Sequence, residues 1–405
     1  MKKVVRREPK LRFPEFQGDW NSHKTNELFD RIKNGVEVRQ DEFYQEIGIR
    51  SHGKGVFHKT PVLGKSLGNK RVFWIKKNVF ILNIVFAWEQ AVAKTTENEI
   101  GLIASHRFPM FEPKKGLADL DYFLGFFLTK KGKHLLGLAS PGGAGRNKTL
   151  GQKVFDELNV VHPSLPEQQK IASFLSAIDQ NLQQLSRKKK LLEQYKKGVL
   201  QKIFCRQIRF QDENGQEYPD WQEKRLGDAG HFKGGGTPST KTAEYWTGDI
   251  PWISSSDLTD ESIYHINTTR FINKNALKNS ATKLIPANSI LIVSRVGVGK
   301  VAVNRCSLCT SQDFTNLVLF NDNPIFLAYF IKLTTKKLLE FNQGTSIKGI
   351  VKSDLEEIKI PIPSLKEQQK IASFLSNIDR KIETAQTQLT QTRTFKKGLL
   401  QQLFV

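Results

Sequence analysis

The sequence lacks any run of apolar residues near the ~20 that a membrane-spanning helix requires, so we expect no membrane span and no membrane partner. Its start is basic, but a Glu-Pro-Lys segment at residues 8–10 stands where a signal peptide needs an apolar run. Cysteine is scarce as well, since Cys205, Cys306 and Cys309 form no disulfide framework. These absences predict a protein of the reducing cytoplasm.

Acidic residues are too few to balance the basic ones. The chain has 62 Lys and Arg against 40 Asp and Glu, which gives a formal net charge of +22 at pH 7. A surplus this large bears on partners rather than on fold, and the usual partner is a polyanion. The charge therefore predicts nucleic-acid binding and disfavours a coiled-coil scaffold with no such role.

Signatures of catalysis are missing too. Residues 142–149 approach a Walker A loop, but Asn147 stands where the last glycine is required. Residues 323–326 lack one proline of the Asn-Pro-Pro-Phe loop of DNA amino-methyltransferases, and a plain turn before a helix explains them better. The eight histidines are scattered, and Cys306-x-x-Cys309 has no second pair at zinc spacing. We therefore predict no catalytic residue, no metal site and no cofactor bound by this chain.

What the sequence does contain is one stretch written twice. Residues 164–179 read SLPEQQKIASFLSAID, and residues 364–379 read SLKEQQKIASFLSNID. Each copy opens with the Ser-x-x-Glu pattern of a capping box. Apolar residues then follow at coiled-coil spacing, which predicts one long helix per copy with an a/d seam.

The seam of each predicted helix changes phase near its end. The apolar pattern slips by three residues in both copies. It then runs through Tyr195, Val199 and Ile203 in the first copy and through Phe395, Leu399 and Leu403 in the second. Gly198 and Gly398 lie just beyond the slip. Because glycine inside a helix costs ~1 kcal/mol relative to alanine, these positions indicate close packing or a helix end.

The repeat divides the chain into four segments. We predict a first domain over residues 1–162 with a basic tail, its helix over 163–207, a second domain over 208–362 and its helix over 363–405. Both domains share a short mid-domain strand and a downstream amphipathic helix, whereas their loops differ. The expected fold is α/β of mixed α+β type, with two homologous domains whose loops carry recognition.

Chain geometry predicts how the two helices run. Each is ~58 Å long at 1.5 Å per residue, whereas a compact domain of this size has a radius of gyration of ~15 Å. The second domain joins the end of the first helix to the start of the second, so parallel helices would force it to span the whole length. We therefore expect antiparallel helices, a pseudo-two-fold repeat, and domains on the order of one DNA turn, ~34 Å, apart.

Basic, glycine-containing loops supply the candidate DNA contacts, because hydroxyls, amides and cations there can approach phosphates. Arg295 can fork onto a guanine edge, although a salt bridge to a core carboxylate is an equal alternative. The loop at residues 233–241 is expected to be flexible, and its alternative is a plain surface loop or linker. The candidates are Arg50, Ser51, His52, Lys54, Lys59, Arg146 and Lys148 in the first domain and Thr237, Ser239, Lys241, Ser254, Ser255, Arg295, Lys300, Thr345 and Lys348 in the second.

The helices carry the candidate partner contacts. Their seams are incomplete as a two-helix core, since Lys189 has no obvious acid opposite it and position 385 holds only Ala385. Further helices of a partner are therefore expected to pack on the pair. The candidates are Leu182 and Ile382 in the seams, and Phe174 and Phe374 as surplus apolar residues that we expect to be exposed.

The paired Pro-Ser-Leu-x-Glu-Gln-Gln-Lys-Ile-Ala segments, the Lys-Lys-Gly-Val/Leu-Leu-Gln helix ends and the Gly-Gly-Thr-Pro-Ser loop at residues 235–239 resemble those of type I restriction–modification specificity (S) subunits. The likeness covers nearly the whole chain. It implies a non-catalytic subunit that reads a bipartite double-stranded DNA target, one half-site per domain. It also implies two methyltransferase (M) subunits and restriction/translocase (R) subunits as partners, and these would bind S-adenosylmethionine, ATP and Mg²⁺. The alternative from another class is a standalone DNA-modifying enzyme that resembles an adenine methyltransferase.

Overall fold

The computed structural model describes residues 8–142, 148–341 and 349–404, and of residues 337–341 it describes the backbone only. Three candidate DNA contacts, Arg146, Thr345 and Lys348, lie outside the described residues. The chain forms two compact units. Unit 1 comprises residues 1–186 and 387–405, and unit 2 comprises residues 187–386. The four-segment division proposed from the sequence stays a prediction.

Strands and short helices precede a long helix in each half of the chain. In the first half they are β1 (Asn21–Lys24), α1 (Thr25–Leu28), β2 (Phe29–Ile32), β3 (Phe43–Tyr44), β4 (Ile47–Ile49), β5 (Val56–His58), β6 (Val62–Leu63), β7 (Val72–Trp74), β8 (Phe80–Leu82), β9 (Val92–Lys94), β10 (Ile103–Ser105), β11 (Met110–Pro113), α2 (Leu120–Phe127), α3 (Lys130–Leu138), α4 (Gln152–Asp156), β12 (Asn159–His162) and the long α5 (Leu165–Phe204). In the second half they are β13 (Gln222–Arg225), β14 (Gly230–Gly234), β15 (Ile250–Ile253), β16 (Arg270–Ile272), α6 (Lys274–Lys278), β17 (Leu284–Ile285), β18 (Ile290–Val293), β19 (Val301–Val303), β20 (Leu308–Thr310), β21 (Phe314–Leu319), α7 (Pro324–Phe341), α8 (Lys352–Glu356), β22 (Lys359–Ile362) and the long α9 (Leu365–Gln402).

The two units share one topology near the long helices. Each has a four-stranded antiparallel sheet, in the order β2-β11-β8-β9 in unit 1 and β14-β21-β18-β19 in unit 2. Each also has an antiparallel strand pair, β1-β12 or β13-β22, whose second strand leads into the long helix. The prediction of two homologous domains of mixed α/β fold is confirmed.

The units differ in the rest of their strands. Unit 1 has the small pairs β7-β10, β3-β6 and β4-β5, whereas unit 2 has a sheet in the order β16-β15-β20-β17 that includes a parallel β15-β20 pair. The two units therefore differ in these strands as well as in their loops.

The amphipathic helix predicted in both halves is continuous only in unit 2. In unit 1 it is broken into α2 and α3, because the hydroxyl of Thr129 caps a new helix by accepting from the Gly132 amide at 3.1 Å. A Cβ at Gly132 would lie 2.3 Å from the Phe126 carbonyl oxygen, so only glycine fits at this break.

Both long helices begin with a buried carboxylate that binds an arginine. The capping-box prediction is half wrong: Ser364 Oγ accepts from the Glu367 amide at 3.4 Å, but the Glu367 side chain binds Arg209 and Trp221 instead of the helix end. In unit 1, Glu167 binds Arg12 through Nε at 2.9 Å. A buried charge gains more from a cation than from one amide, which explains the exchange of partners.

Within each unit the two long helices run antiparallel, as predicted. Lys396 Nζ lies 2.5 Å from Asp179 in unit 1, and Lys196 Nζ lies 2.5 Å from Asp379 in unit 2. In unit 1 the end of α9 continues past this contact into the core, where Phe404 packs on α2. In each unit the end of one long helix therefore lies beside the earlier part of the other, and the two helices run in opposite directions.

The predicted phase of the helix ends is confirmed at Val199, Ile203, Leu399 and Leu403, which are buried, and is wrong at its first position in each copy. Tyr195 and Phe395 are 53% and 56% exposed, and the neighbouring Lys196 and Lys396 are the residues that turn toward the other helix. The glycines that follow, at positions 198 and 398, lie inside continuous helix, and a Cβ added at either would have nothing within 4 Å. Neither close packing against this chain nor a helix end therefore explains why glycine stands at these two positions.

Candidate nucleic-acid interface

In unit 2 several predicted contacts gather around the connection between β18 and β19. The Ser294 carbonyl accepts from the Ile350 amide at 2.8 Å, and a Cβ on Gly349 would lie 2.5 Å from that carbonyl. Lys300 donates to the Ser255 carbonyl at 3.1 Å. Three separate segments, near residues 255, 294–300 and 350, are therefore neighbours.

Arg295 is exposed at this cluster. Among the residues that the structure describes it makes no ion pair, so the alternative of a salt bridge to a core carboxylate is not observed. Its backbone is fixed instead, because its amide donates to the Asp313 carbonyl at 3.2 Å. The guanidinium is therefore presented to solvent from a held backbone.

Ser254 joins a cation that the sequence reasoning missed. Arg270 donates to Ser254 Oγ at 2.6 Å and to Asp257 at 2.5 Å. Its guanidinium also lies 4.5 Å from the centre of the Trp252 ring. With one carboxylate and one aromatic face already bound, Arg270 orients Ser254 rather than standing free.

The loop that carries Thr237, Ser239 and Lys241 is packed, so its predicted flexibility is wrong. A Cβ on Gly236 would lie 2.4 Å from the Ala281 backbone, and the Gly236 carbonyl accepts from Trp252 Nε1 at 2.9 Å. A Cβ on Gly235 would lie 2.0 Å from the Ser311 carbonyl oxygen, so protein packing alone requires glycine at these two positions. Thr237 donates to Gln312, the Ser239 carbonyl accepts from Trp246 at 3.2 Å, and Lys241 is exposed.

In unit 1 the loop of residues 50–55 lies against the connection between β8 and β9. Ser51 Oγ donates to Glu89 at 3.0 Å, and the His52 amide donates to the Glu89 carbonyl at 2.8 Å. His52 adopts a positive φ of 61°. Arg50 lies over the Phe57 ring at 4.8 Å, while Lys54 is exposed.

Lys148 belongs to the same surface. Its Nζ lies 5.6 Å from the centre of the Trp88 ring, and Trp88 Nε1 donates to the Val85 carbonyl at 3.2 Å. Trp88 is half-buried, so it is neither wholly core nor a free stacking platform.

Lys59 lies beside a cleft of about 460 Å³. The buried carboxylate of Glu46 lies 3.4 Å from Lys59 Nζ and 3.7 Å from Lys70 Nζ. Nearby, burial disfavours the ionised form of Glu99, but hydrogen bonds from His58 and Thr96 outweigh it, and the pKa of Glu99 is lowered. The cleft is also lined by Asn83, Val85, Phe86, Ser105, His106, Arg107 and Phe108.

The candidate partner contacts on the helices divide into two kinds. Leu182 and Ile382 are partly buried against the cores of their own units, as seam residues should be. The expected exposure of Phe174 and Phe374 is wrong. Phe174 packs edge-on against Phe13 at 5.7 Å, and Phe374 packs against Phe210 at 5.5 Å. The covering rings, Phe13 and Phe210, end the matching segments Leu-Arg-Phe at residues 11–13 and Ile-Arg-Phe at residues 208–210.

The remaining motifs have structural roles. Asn323 caps α7, because its side-chain oxygen accepts from the Ile325 and Phe326 amides at 3.0 Å. Over residues 8–142, 148–341 and 349–404, no group of three His, Cys, Asp or Glu could hold a metal ion. In the same part of the chain no helix is long and apolar enough to cross a membrane.

Comparison with known proteins identifies the repeat. Residues 17–194 and 218–392 each match the type I restriction modification DNA specificity domain. The chain belongs to this family. Both family segments contain a shared sheet and most of a long helix, so the family fold accounts for the whole repeat and not for one half of it.

Individual family members align over different lengths. The MjaIX specificity subunit of Methanocaldococcus jannaschii is 40% identical over 42% of this chain and 40% of its own length. The EcoR124I/EcoR124II specificity subunit of Escherichia coli is 34% identical over 38% of this chain and 40% of its own. The chain thus spans well under half of these two relatives. The putative MjaX specificity subunit of M. jannaschii is 24% identical over 96% of this chain and 94% of its own length.

Solved structures of the family share the fold along nearly the full chain. The type I restriction–modification S subunit from M. genitalium superposes with a TM-score of 0.59 at 17% identity, covering 98% of this chain and 99% of its own. The HsdS subunit from Thermoanaerobacter tengcongensis gives a TM-score of 0.54 at 17% identity, covering 95% and 96%.

Proposed function

We propose that this chain is the DNA sequence-specificity subunit of a type I restriction–modification complex, and that each unit reads one half of a bipartite double-stranded target. The observation that carries the proposal is the double match of the family's specificity domain over residues 17–194 and 218–392. The net charge of +22 and the cations around the β8-β9 and β18-β19 connections support contact with a polyanion.

The chemistry is assigned to partners. In this proposal M subunits dock on the long helices and methylate adenine, R subunits join the full complex, and S-adenosylmethionine, ATP and Mg²⁺ bind those subunits. The complex is expected to act in the cytoplasm, where the DNA is and where the three thiols stay reduced. A standalone methyltransferase is the competing function, and it would require a cofactor turn that the sequence does not supply.

A domain exchange tests the proposal. Residues 208–362 are replaced by the corresponding domain of a family member, the chimera is co-expressed with M subunits, and methylated adenines are mapped. We expect one half of the recognised sequence to change and the other to persist. A simultaneous change of both halves would refute reading by separate units. Methyl transfer by the purified chain without partners would instead favour the standalone enzyme.

A further inference from the structure

One short turn is built in the same way in both units. It has the pattern Ser-x-x-Phe, at residues 105–108 in unit 1 and 311–314 in unit 2. In each, the Phe amide donates to the Ser carbonyl, at 2.9 Å in unit 1 and 3.2 Å in unit 2. In each, the Ser hydroxyl also accepts from the amide two residues on, at 3.4 Å and 3.3 Å. Both serines are buried, so they belong to the scaffold.

The turn also occupies the same place in each unit. It joins β10 to β11 in unit 1 and β20 to β21 in unit 2. The carbonyl of its third residue accepts a hydrogen bond from the connection that follows β8 or β18. The Ile84 amide donates to the Arg107 carbonyl at 3.0 Å, and the Ser294 amide donates to the Asp313 carbonyl at 2.8 Å. The scaffold therefore fixes one backbone position and presents different side chains there: His106 and Arg107 in unit 1, Gln312 and Asp313 in unit 2.

In unit 1 the turn lines the 460 Å³ cleft. His106 and Arg107 are exposed, and over the described residues the Arg107 guanidinium has no ion pair. The charges that line the cleft are those of Lys59, Lys70 and Arg107 against the single carboxylate of Glu46. Glu46 binds both lysines, so Arg107 is the cation left to meet a ligand.

In unit 2 the turn presents an amide. Gln312 is exposed, and its side-chain oxygen accepts from the Thr237 hydroxyl. This hydrogen bond turns the amide oxygen of Gln312 toward the loop that carries Thr237. Within the described residues the amide nitrogen has no hydrogen-bond partner. The Asp313 carboxylate accepts from Ser311 Oγ at 3.0 Å and is held within the turn. Gln312 is therefore the group of this turn that is able to donate outward.

We propose that Arg107 and Gln312 are base-reading residues, one for each half-site. This rests on the proposed function. A guanidinium reads guanine by donating to O6 and N7, and an amide reads adenine by donating to N7 while accepting from N6. The Gln312 oxygen has a second lone pair for that role.

The test uses the complex of the full chain with its M subunits and a panel of targets with single-base changes. Arg107→Ala is expected to lose about 5- to 150-fold of discrimination at one position of one half-site, and Gln312→Ala at one position of the other. Arg107→Lys keeps the charge but not the fork, so it is expected to lose discrimination as well. The controls are Lys24→Ala and Arg225→Ala, equivalent cations on β1 and β13 that pair with Glu157 and Glu357.

Three results would overturn base reading while leaving the proposed function intact. They are unchanged discrimination in both alanine variants, discrimination retained by Arg107→Lys, and weakening that is uniform over all targets with a smaller salt dependence, which marks a phosphate contact. If the unaltered complex itself has no bipartite preference, the proposed function fails first.

Discussion

The Nε of Arg209 lies 3.0 Å from the carboxylate of Glu367, which is fully buried at the start of α9. The same carboxylate accepts from Trp221 Nε1 at 3.0 Å. Arg12 and Glu167 repeat the contact in unit 1. The Glu of the repeated Glu-Gln-Gln segment therefore binds each domain's opening residues to its helix, which gives the repeat a structural reason.

Removing Arg209 is predicted to destabilise unit 2. Arg209→Ala leaves Glu367 buried with one neutral donor, and an uncompensated buried charge costs ~3–5 kcal/mol. The free energy of unfolding, from denaturant titration of the full chain, measures it. Arg225→Ala is the control, because its ion pair with Glu357 is exposed and worth ~1 kcal/mol or less. Equal losses in both variants would mean that the buried pair has no special weight.

The sequence predicted the fold where local pattern and packing agree. Both long helices, their antiparallel course and the strands near residues 80 and 290 follow from apolar periodicity and chain length. It failed where tertiary contacts decide. The rings of Phe174 and Phe374 looked surplus because the residues that cover them, Phe13 and Phe210, are more than 150 positions away.

The candidate site was predicted only in part, for a related reason. Basic and glycine-rich loops are visible in the sequence, and Arg295, Lys300, Ser254 and Ser255 do come together. Whether a glycine cradles phosphate or admits a neighbouring backbone depends on contacts that no local pattern encodes, as Gly236 shows. The sequence did contain a signal for the turn that carries Arg107 and Gln312, because the Ser-x-x-Phe pattern occurs in both halves with different residues between Ser and Phe.

Gly198→Ala and Gly398→Ala are predicted to stabilise the free chain. Both positions are inside helix with open space around a Cβ, so alanine should gain ~0.5–1 kcal/mol each. Denaturant titration of the free chain measures this. If M subunits pack closely there, the same variants should co-purify with less M. A loss of stability in the free chain would show that the space around these glycines is filled.

The stability of unit 2 is predicted to rise between pH 8 and 9.5 because of Lys332. Burial, together with the charge of Lys196, lowers the pKa of Lys332 to about 8 despite opposing attraction from Asp379, Asp260 and Glu261. Its ammonium nitrogen has no hydrogen-bond partner in the described structure. Above pH 8 the folded state releases this proton while the unfolded state keeps it, so rising pH favours folding.

Lys332→Met isolates that effect. Subtracting the pH profile of the variant from that of the unaltered chain should leave a gain of at most about 2 kcal/mol between pH 8 and 9.5. The window stops below pH 10, because burial and the charge of Asp379 raise the pKa of Tyr329, and unfolded tyrosine then begins to ionise. A flat difference across this window would contradict a buried, uncompensated ammonium.

The last prediction concerns where M subunits dock. Tyr195 and Phe395 occupy equivalent places in the repeat, both are more than half exposed, and each follows the phase change of its helix. Large exposed apolar side chains at matched positions are suited to two copies of one partner. Tyr195→Asp and Phe395→Asp should therefore change the free energy of unfolding by less than ~0.5 kcal/mol and yet reduce co-purification with M.

Phe174→Asp and Phe374→Asp are the matched comparison and should behave in the opposite way. Each places a carboxylate against an aromatic ring inside a core cluster, at a cost of several kcal/mol unless the side chain reaches water. Their expected result is a lower denaturation midpoint, with any loss of M following from unfolding. Circular dichroism melts and co-purification are measured on the same preparations. If Tyr195→Asp and Phe395→Asp still bring down a full complement of M while melting normally, M docks on another surface, and the exposed rings have a different use.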